Sequence, residues 1–333
     1  MSAKRISKYD NAKFFLIFVV VVGHLIDPAA TANSSVARGL FAFIYSFHMP
    51  AFLLLMGLFS CGSKHDFRSV VGKALSFVLI GYLIKLLICL WTFFVAGGRP
   101  SFSLLSDNGL AWFMFVSAAF YVLAWLLRGI KPLPVLIVSL LIALFVGYDE
   151  TIGDFLYLSR IVVFFPFFWV GRMLGSDRLL ELLSKRWVKV AAVIVVVLFV
   201  CVCVLKEPSI YQYRGLFTGR NAYANIAISN CGWINRLIAY VISFGMVLSV
   251  IALTPSNNVP GITTAGTRTL QVYVFHYFLI WFVDLFGFTA WLLSLASWSW
   301  VLLIPYALVI VGIMSIKQIG YPLRPLLQIT EKR

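Results

Sequence analysis

Hydrophobic positions in this chain come in long runs rather than in alternation. Apolar stretches able to cross a bilayer, roughly 17–25 residues each, recur from residue 12 to the far end. Short segments with turn chemistry separate them, such as "GGRP" at 97–100, "KPLP" at 131–134 and "TPSNNVPG" at 254–261. The pattern predicts ten spans, at about 12–27, 39–60, 70–96, 110–127, 133–148, 157–174, 188–205, 235–253, 268–287 and 296–316. Strands of an outer-membrane barrel would alternate polar and apolar positions, and "AAVIVVVLFV" at 191–200 does not. Helix is the form in which a lipid-exposed backbone satisfies its own hydrogen bonds. The expectation is an all-α polytopic membrane protein with a single transmembrane domain over residues 1–333.

Composition agrees. Of 333 residues, 62% are hydrophobic and 12% charged, against about 25% charged in a soluble domain, so this chain could not cover its surface in water. A cleaved leader is the rival reading of the first apolar run. His24, Asp27 and Pro28 stand between that run and the small residues "AATA", and nine more spans follow, which favours a retained first span. Asn33 opens an "NSS" glycosylation sequon, a tripeptide short enough to arise by chance.

The net charge of +15 is placed unevenly. Most Lys and Arg fall in alternate segments: Lys4, Arg5 and Lys8, the "KHDFRSVVGK" loop, residues 172–189 and the "EKR" tail. Asp149, Glu150 and Asp154 share a loop with no basic residue. By the positive-inside rule both termini are cytoplasmic. Nucleic-acid binding does not explain a basic excess confined to short loops between spans. Cys61, Cys89, Cys201, Cys203 and Cys231 lie mostly within or at the ends of spans, so no disulfide framework is implied. Cys201 and Cys203 have the wrong spacing for the usual zinc pairs and read as lipid-facing packing. No metal is expected, and the absence of a Walker sequence argues against nucleotide hydrolysis.

An ionisable residue at the centre of a span costs about 2.5–3.5 kcal/mol on insertion scales and normally faces a protein interior. The candidates are His24, His48, Lys85, Arg160 and His276, with Asp27 and Asp284 near span ends. Lys13 and His24 are three helical turns apart, within about 20° of one face and about 16 Å along the axis. Asp27, at i+3 from His24, is in side-chain reach. A carboxylate that holds one imidazole nitrogen fixes the tautomer and makes the other a better base. The bland alternative is an interfacial histidine with Asp27 capping a turn into Pro28. His48, beside the kink-prone Pro50, and His276 either line a cavity or simply hydrogen-bond between helices. Arg160 either snorkels to the outer headgroups or faces a developing negative charge at the level of His24. Lys85 has no acidic partner in its span and reads equally as a pore cation or a snorkelling residue.

These residues sit in motifs that together resemble the integral-membrane acyltransferase 3 family, in particular its fucose 4-O-acetylase-like branch. The likeness rests on "YDNAKFFLIFVVVVGHLIDP", "FIYSFHMPAFLLLMGLF", "AWFMFVSAAFYVLAW", "SRIVVFFPFFWVGRML" and "LQVYVFHYFLI", in that order over most of the chain. The resemblance implies transfer of an acetyl group from cytosolic acetyl-CoA to a hydroxyl of a surface or lipid-linked glycan. The family's basic residue, ten intervening residues and histidine fall on Lys13 and His24. Its paired arginines at the start of the third span are met in part by Arg68 and Lys73. On this reading His24 is general base or acyl carrier, oriented by Asp27, and Arg160 steadies the oxyanion. His48, His276, Lys85 and Trp112 contact substrate, and Lys13, Arg68 and Lys73 hold coenzyme A. Expected partners are the saccharide acceptor, membrane lipid and a second copy of the chain as homodimer, in the cytoplasmic membrane, with no nucleic acid. A transporter or flippase for a glycolipid or polysaccharide precursor is the rival class. Inverted repeats would favour it, and the two halves of the sequence show none. A non-catalytic scaffold would leave five costly intramembrane positions without a use.

Overall fold

Every apolar run of the sequence is helical in the computed structural model, which describes residues 6–31, 34–60, 66–106, 109–226, 231–296 and 298–328. Lys4, Arg5, Asn33, Cys61, Lys64 and the "EKR" tail lie outside the described residues. The order begins α1 (Ser7–Thr31), α2 (Ser35–Tyr45), α3 (His48–Ser60), α4 (Phe67–Phe94), α5 (Trp112–Leu126), α6 (Pro132–Phe145), α7 (Leu158–Leu174) and α8 (Ser176–Ser184). It continues with α9 (Arg186–Leu205), α10 (Glu207–Tyr211), α11 (Arg214–Phe217), α12 (Gly232–Leu253) and α13 (Ile262–Gly266). The last four are α14 (Thr269–Asp284), α15 (Phe288–Ser294), α16 (Leu303–Met314) and α17 (Arg324–Leu327). No strand occurs among the described residues.

Seven of the ten expected regions hold a helix, or a closely joined pair, long and apolar enough to cross a membrane. Two more are bent pairs: Thr269–Asp284 with Phe288–Ser294 at 70°, and Ser299–Met314 with Lys317–Leu327 at 64°. The first bend follows from Gly287, whose φ of +68° suits a residue without a Cβ and starts α15 in a new direction. The tenth, Pro132–Tyr148, is a shorter apolar helix. The chain is thus a multi-pass membrane protein. The expected second span is also interrupted. Pro50 has no N–H to offer the Ser46 carbonyl four residues back, and between α2 and α3 the Ile44 carbonyl accepts from Phe47 N at 3.3 Å and from His48 Nδ1 at 2.8 Å.

The fold comprises two compact units. The first holds Met1–Phe52, Arg178–Phe217 and Ala239–Tyr321; the second holds Leu53–Asp177, Thr218–Ile238 and Pro322–Arg333.

In the first unit α1 is central, packed on α2, α13, α14 and α16. Its opening turn is tied to the loop after α12. Lys8 Nζ donates to the carbonyls of Ala252 (3.0 Å) and Thr254 (2.6 Å), and Asn11 Nδ2 to those of Pro255 (3.0 Å) and Asn257 (2.9 Å). Gly266 lies so close that a Cβ there would overlap the Asp10 carbonyl. A buried Glu207 pairs with Arg38 at 2.6 Å and ties α10 to α2. Cys201 is exposed as expected for lipid-facing packing, but Cys203 is buried, its backbone against Gly39 of α2.

The second unit packs α4 on α5 and α6 on α7. Gly57 of α3 and Gly171 of α7 bring two backbones together: a Cβ on Gly57 would overlap the Phe168 carbonyl, and one on Gly171 the Leu54 carbonyl. Small residues at such crossings let membrane helices approach closely. Arg172 then donates to the Ser60 carbonyl at 2.6 Å.

Candidate functional site

In the first unit the outer half of α1 carries His24 and Asp27, both partly exposed and one turn apart. The sequence reading expects Asp27 to hold an imidazole nitrogen. The structure puts a tyrosine there: the Tyr277 hydroxyl is 2.8 Å from His24 Nδ1, with ring centroids 4.5 Å apart. The Asp27 carboxylate is within electrostatic range of the hydroxyls of Tyr277 and Tyr45. Gly23 makes room for this arrangement. Tyr45 passes so close that a Cβ on Gly23 would sit 3.3 Å from its ring.

His276 stacks beside His24, centroids 5.4 Å apart and planes 25° from parallel. It is fully buried. Its Nδ1–H donates to the carbonyls of Val272 (3.0 Å) and Tyr273 (2.9 Å). Two acceptors at Nδ1 fix the tautomer, so Nε2 carries the lone pair. That nitrogen is buried and finds no partner among the described residues. An unmet buried acceptor costs about 1–3 kcal/mol, a penalty relieved when a ligand brings a hydroxyl or thiol to it.

His48 follows the same design one helix away. Its Nδ1–H donates to the Ile44 carbonyl four residues back, and its ring meets Tyr45 edge-on at 4.8 Å. His24 is in electrostatic range of both His48 and His276. Three imidazoles, two phenols and a carboxylate therefore converge within one unit. With two of the imidazoles fixed as lone-pair acceptors, the group suits proton transfer from a hydroxyl. Sequence reasoning missed Tyr45 and Tyr277. Each lies next to, or three residues from, a chosen histidine, but nothing in a single chain says that two separate helices meet α1.

At the other end of α1, Lys13 pairs with Asp10 at 2.6 Å. Its side chain is 24% exposed, enough to meet a second anion.

In the second unit Arg160 is buried, which rules out snorkelling to headgroups. Its guanidinium lies 4.6 Å from the Trp112 ring centroid and 3.5 Å from Asp154, whose other oxygen meets Arg220 at 3.5 Å. Trp112 in turn stacks on Phe164. Lys85 is buried too. Its Nζ donates to the carbonyls of Ser103 (2.7 Å) and Ser106 (3.3 Å) and stands 5.1–5.8 Å from the rings of Phe115, Tyr157 and Tyr82. It is neither a snorkelling residue nor a bare pore cation. Of the other expected coenzyme contacts, Arg68 is exposed and Lys73 stands 5.5 Å over Tyr121. In the acidic loop, the Thr151 hydroxyl and then its N–H hold the Asp149 carboxyl below the usual carboxylate range. No set of three His, Cys, Asp or Glu spaced to bind a metal occurs among the described residues.

A family model described as an acyltransferase domain matches residues 6–316. No curated protein and no solved structure is similar enough to match.

Proposed function

Because the chain belongs to the acyltransferase 3 family and is a multi-pass membrane acyltransferase, we propose that it moves an acetyl group from acetyl-CoA to a hydroxyl of a surface or lipid-linked glycan at His24. The observation that carries this reading is the contact of His24 with Tyr277 beside the buried Nε2 of His276, which has no partner among the described residues.

The mechanism runs through these residues. His24 Nδ1–H donates to the Tyr277 oxygen, which leaves Nε2 as the base. Asp27 steadies the Tyr277 hydroxyl and, through it, the imidazolium that forms. Nε2 takes the proton of the acceptor hydroxyl as its oxygen attacks the thioester carbonyl. The tetrahedral intermediate expels the coenzyme A thiolate, and His24 returns the proton to that sulfur. The products are an acetyl ester and free thiol. His48 and His276, each with Nε2 as acceptor, line the path for hydroxyl or thiol groups. Lys13, three turns away on the same helix, meets a donor phosphate. If the acetyl group instead rests on His24, Nε2 attacks the thioester carbonyl and expels the coenzyme A thiolate. The alcohol oxygen then attacks the acetyl carbon, Nε2 leaves as neutral imidazole, and the alcohol proton ends on the thiolate. The orientation that the loop charges favour places Lys13 at the cytoplasmic end, in the cytoplasmic membrane.

Membranes that contain the chain, incubated with CoA carrying a labelled acetyl group, are expected to yield label in glycan as a base-labile ester. Uptake of saccharide with no ester formed would favour the transporter and overturn this reading.

A further inference from the structure

A second recess is built in the other unit. A cavity of about 330 Å³ is lined by Lys85, Ser101, Phe102, Ser103, Ser106 and Asp154, with Ile88, within the size range of small-molecule sites. Its wall is a segment without regular structure, yet the backbone is held firmly. Tyr82, Lys85 and Cys89 fall on one face of α4 at spacings of three and four. The Cys89 thiol donates to the Ser101 carbonyl (3.5 Å), Lys85 to those of Ser103 and Ser106, and the Tyr82 hydroxyl to that of Leu104 (3.2 Å). From the other side, Leu156 N donates to the Leu105 carbonyl at 2.6 Å. One face of a membrane helix thus clamps the segment's carbonyls, and the side chains are left to shape the recess.

We infer that this recess binds an uncharged sugar ring, as a recognition site for the glycan acceptor. The lining has the chemistry for it. The hydroxyls of Ser103 and Ser106, 3.0 Å apart, can each donate and accept. The Asp154 carboxylate, shared with Arg160 and Arg220 but 22% exposed, can accept from a sugar hydroxyl. Phe102, 48% exposed and backed by Tyr82 at 6.5 Å, offers a flat apolar face to a ring's C–H side. The Asp154 carboxylate is matched by Arg160 and Arg220 and the Lys85 ammonium by two carbonyls, so the lining makes no demand for a charged ligand and suits a neutral polyol. Lys85 is then a positioning residue that fixes the serines. In the orientation that the loop charges favour, the recess opens on the outer side.

The inference rests on a saccharide acceptor, but its test needs no acyl transfer. The full chain in nanodiscs free of sugar detergents is mixed with the methyl glycosides of glucose, galactose and fucose. Saturation-transfer NMR then reads which ring protons contact protein. At least one glycoside is expected to give signals, with an affinity about tenfold weaker in Phe102→Ala, one contact of about 1.4 kcal/mol. Ser106→Ala is expected to weaken binding likewise, and Gly312→Ala, where a Cβ meets nothing within 4 Å, to leave it unchanged. Phe102 is a surface side chain, so its loss should not unfold the protein. Equal signals in Phe102→Ala, or none from any glycoside with the unaltered chain, would overturn the site. Transfer from labelled acetyl-CoA would stand or fall separately.

Discussion

Replacing His24 by Ala is expected to lower glycan acetylation by about 10²–10⁴-fold, the usual contribution of a positioned general base, while the protein accumulates and stays monodisperse as before. The side chain is only partly buried, so its removal leaves no large void in a packed core. His24→Gln keeps a polar group but cannot take up a proton, and should fall with Ala. Tyr277→Phe removes the hydroxyl at Nδ1 yet leaves the base in place. Its loss should be smaller, about tenfold, the scale of one hydrogen bond to a group that becomes charged. The order His24→Ala, then Tyr277→Phe, then native distinguishes a relay from a cluster that is merely structural, in which both changes would act through stability. Quantifying ester-linked label per mole of folded protein checks the series.

Gly57→Ala and Gly171→Ala are expected to be the most damaging single-methyl changes in the second unit. Each new Cβ would overlap a backbone carbonyl of the facing helix rather than a side chain that could swing aside. Overpacking costs about 1–3 kcal/mol, occasionally more, and here the backbone itself must move. It would also separate Arg172 from the Ser60 carbonyl. Gly312→Ala is the control, since a Cβ there meets nothing within 4 Å. The fraction of chain that stays monodisperse after graded heating should drop sharply for the first two and stay at the native level for the control. Equal curves for all three would show that α3 and α7 do not depend on this close approach.

Both glycines sit inside motifs visible in the sequence, "LLLMGLF" and "FWVGRML", but a single chain does not reveal that they face each other. The same limit applies at the site. Apolar run length was enough to find where helices form, because lipid leaves the backbone few other options. It could not show that Ser46 and Phe47 interrupt the second span, although Pro50 signals trouble there, nor that Gly287 turns the chain by 70°. The cost of polar groups in lipid singled out His24, His48, His276, Lys85 and Arg160, and each is engaged in the fold. Their partners were less legible. Lys85 looked unpaired because its partners are backbone carbonyls, which carry no signature in sequence. Asp154 was visible six residues before Arg160, but Arg220, which shares it, lies far along the chain. Asp27 pointed towards the right neighbourhood, whereas the group on His24 Nδ1 is Tyr277, 253 residues away.

The central claim is that donor and acceptor meet at His24 from opposite faces of the membrane. Its most direct measurement uses sealed vesicles holding the purified chain, with glycan enclosed and labelled acetyl-CoA added outside. In vesicles that present the Lys13 end of α1 outward, the enclosed glycan should gain ester-linked label, and with His24→Ala it should gain none above background. Label that appears only when glycan and donor share one compartment, or that persists with His24→Ala, would contradict the account.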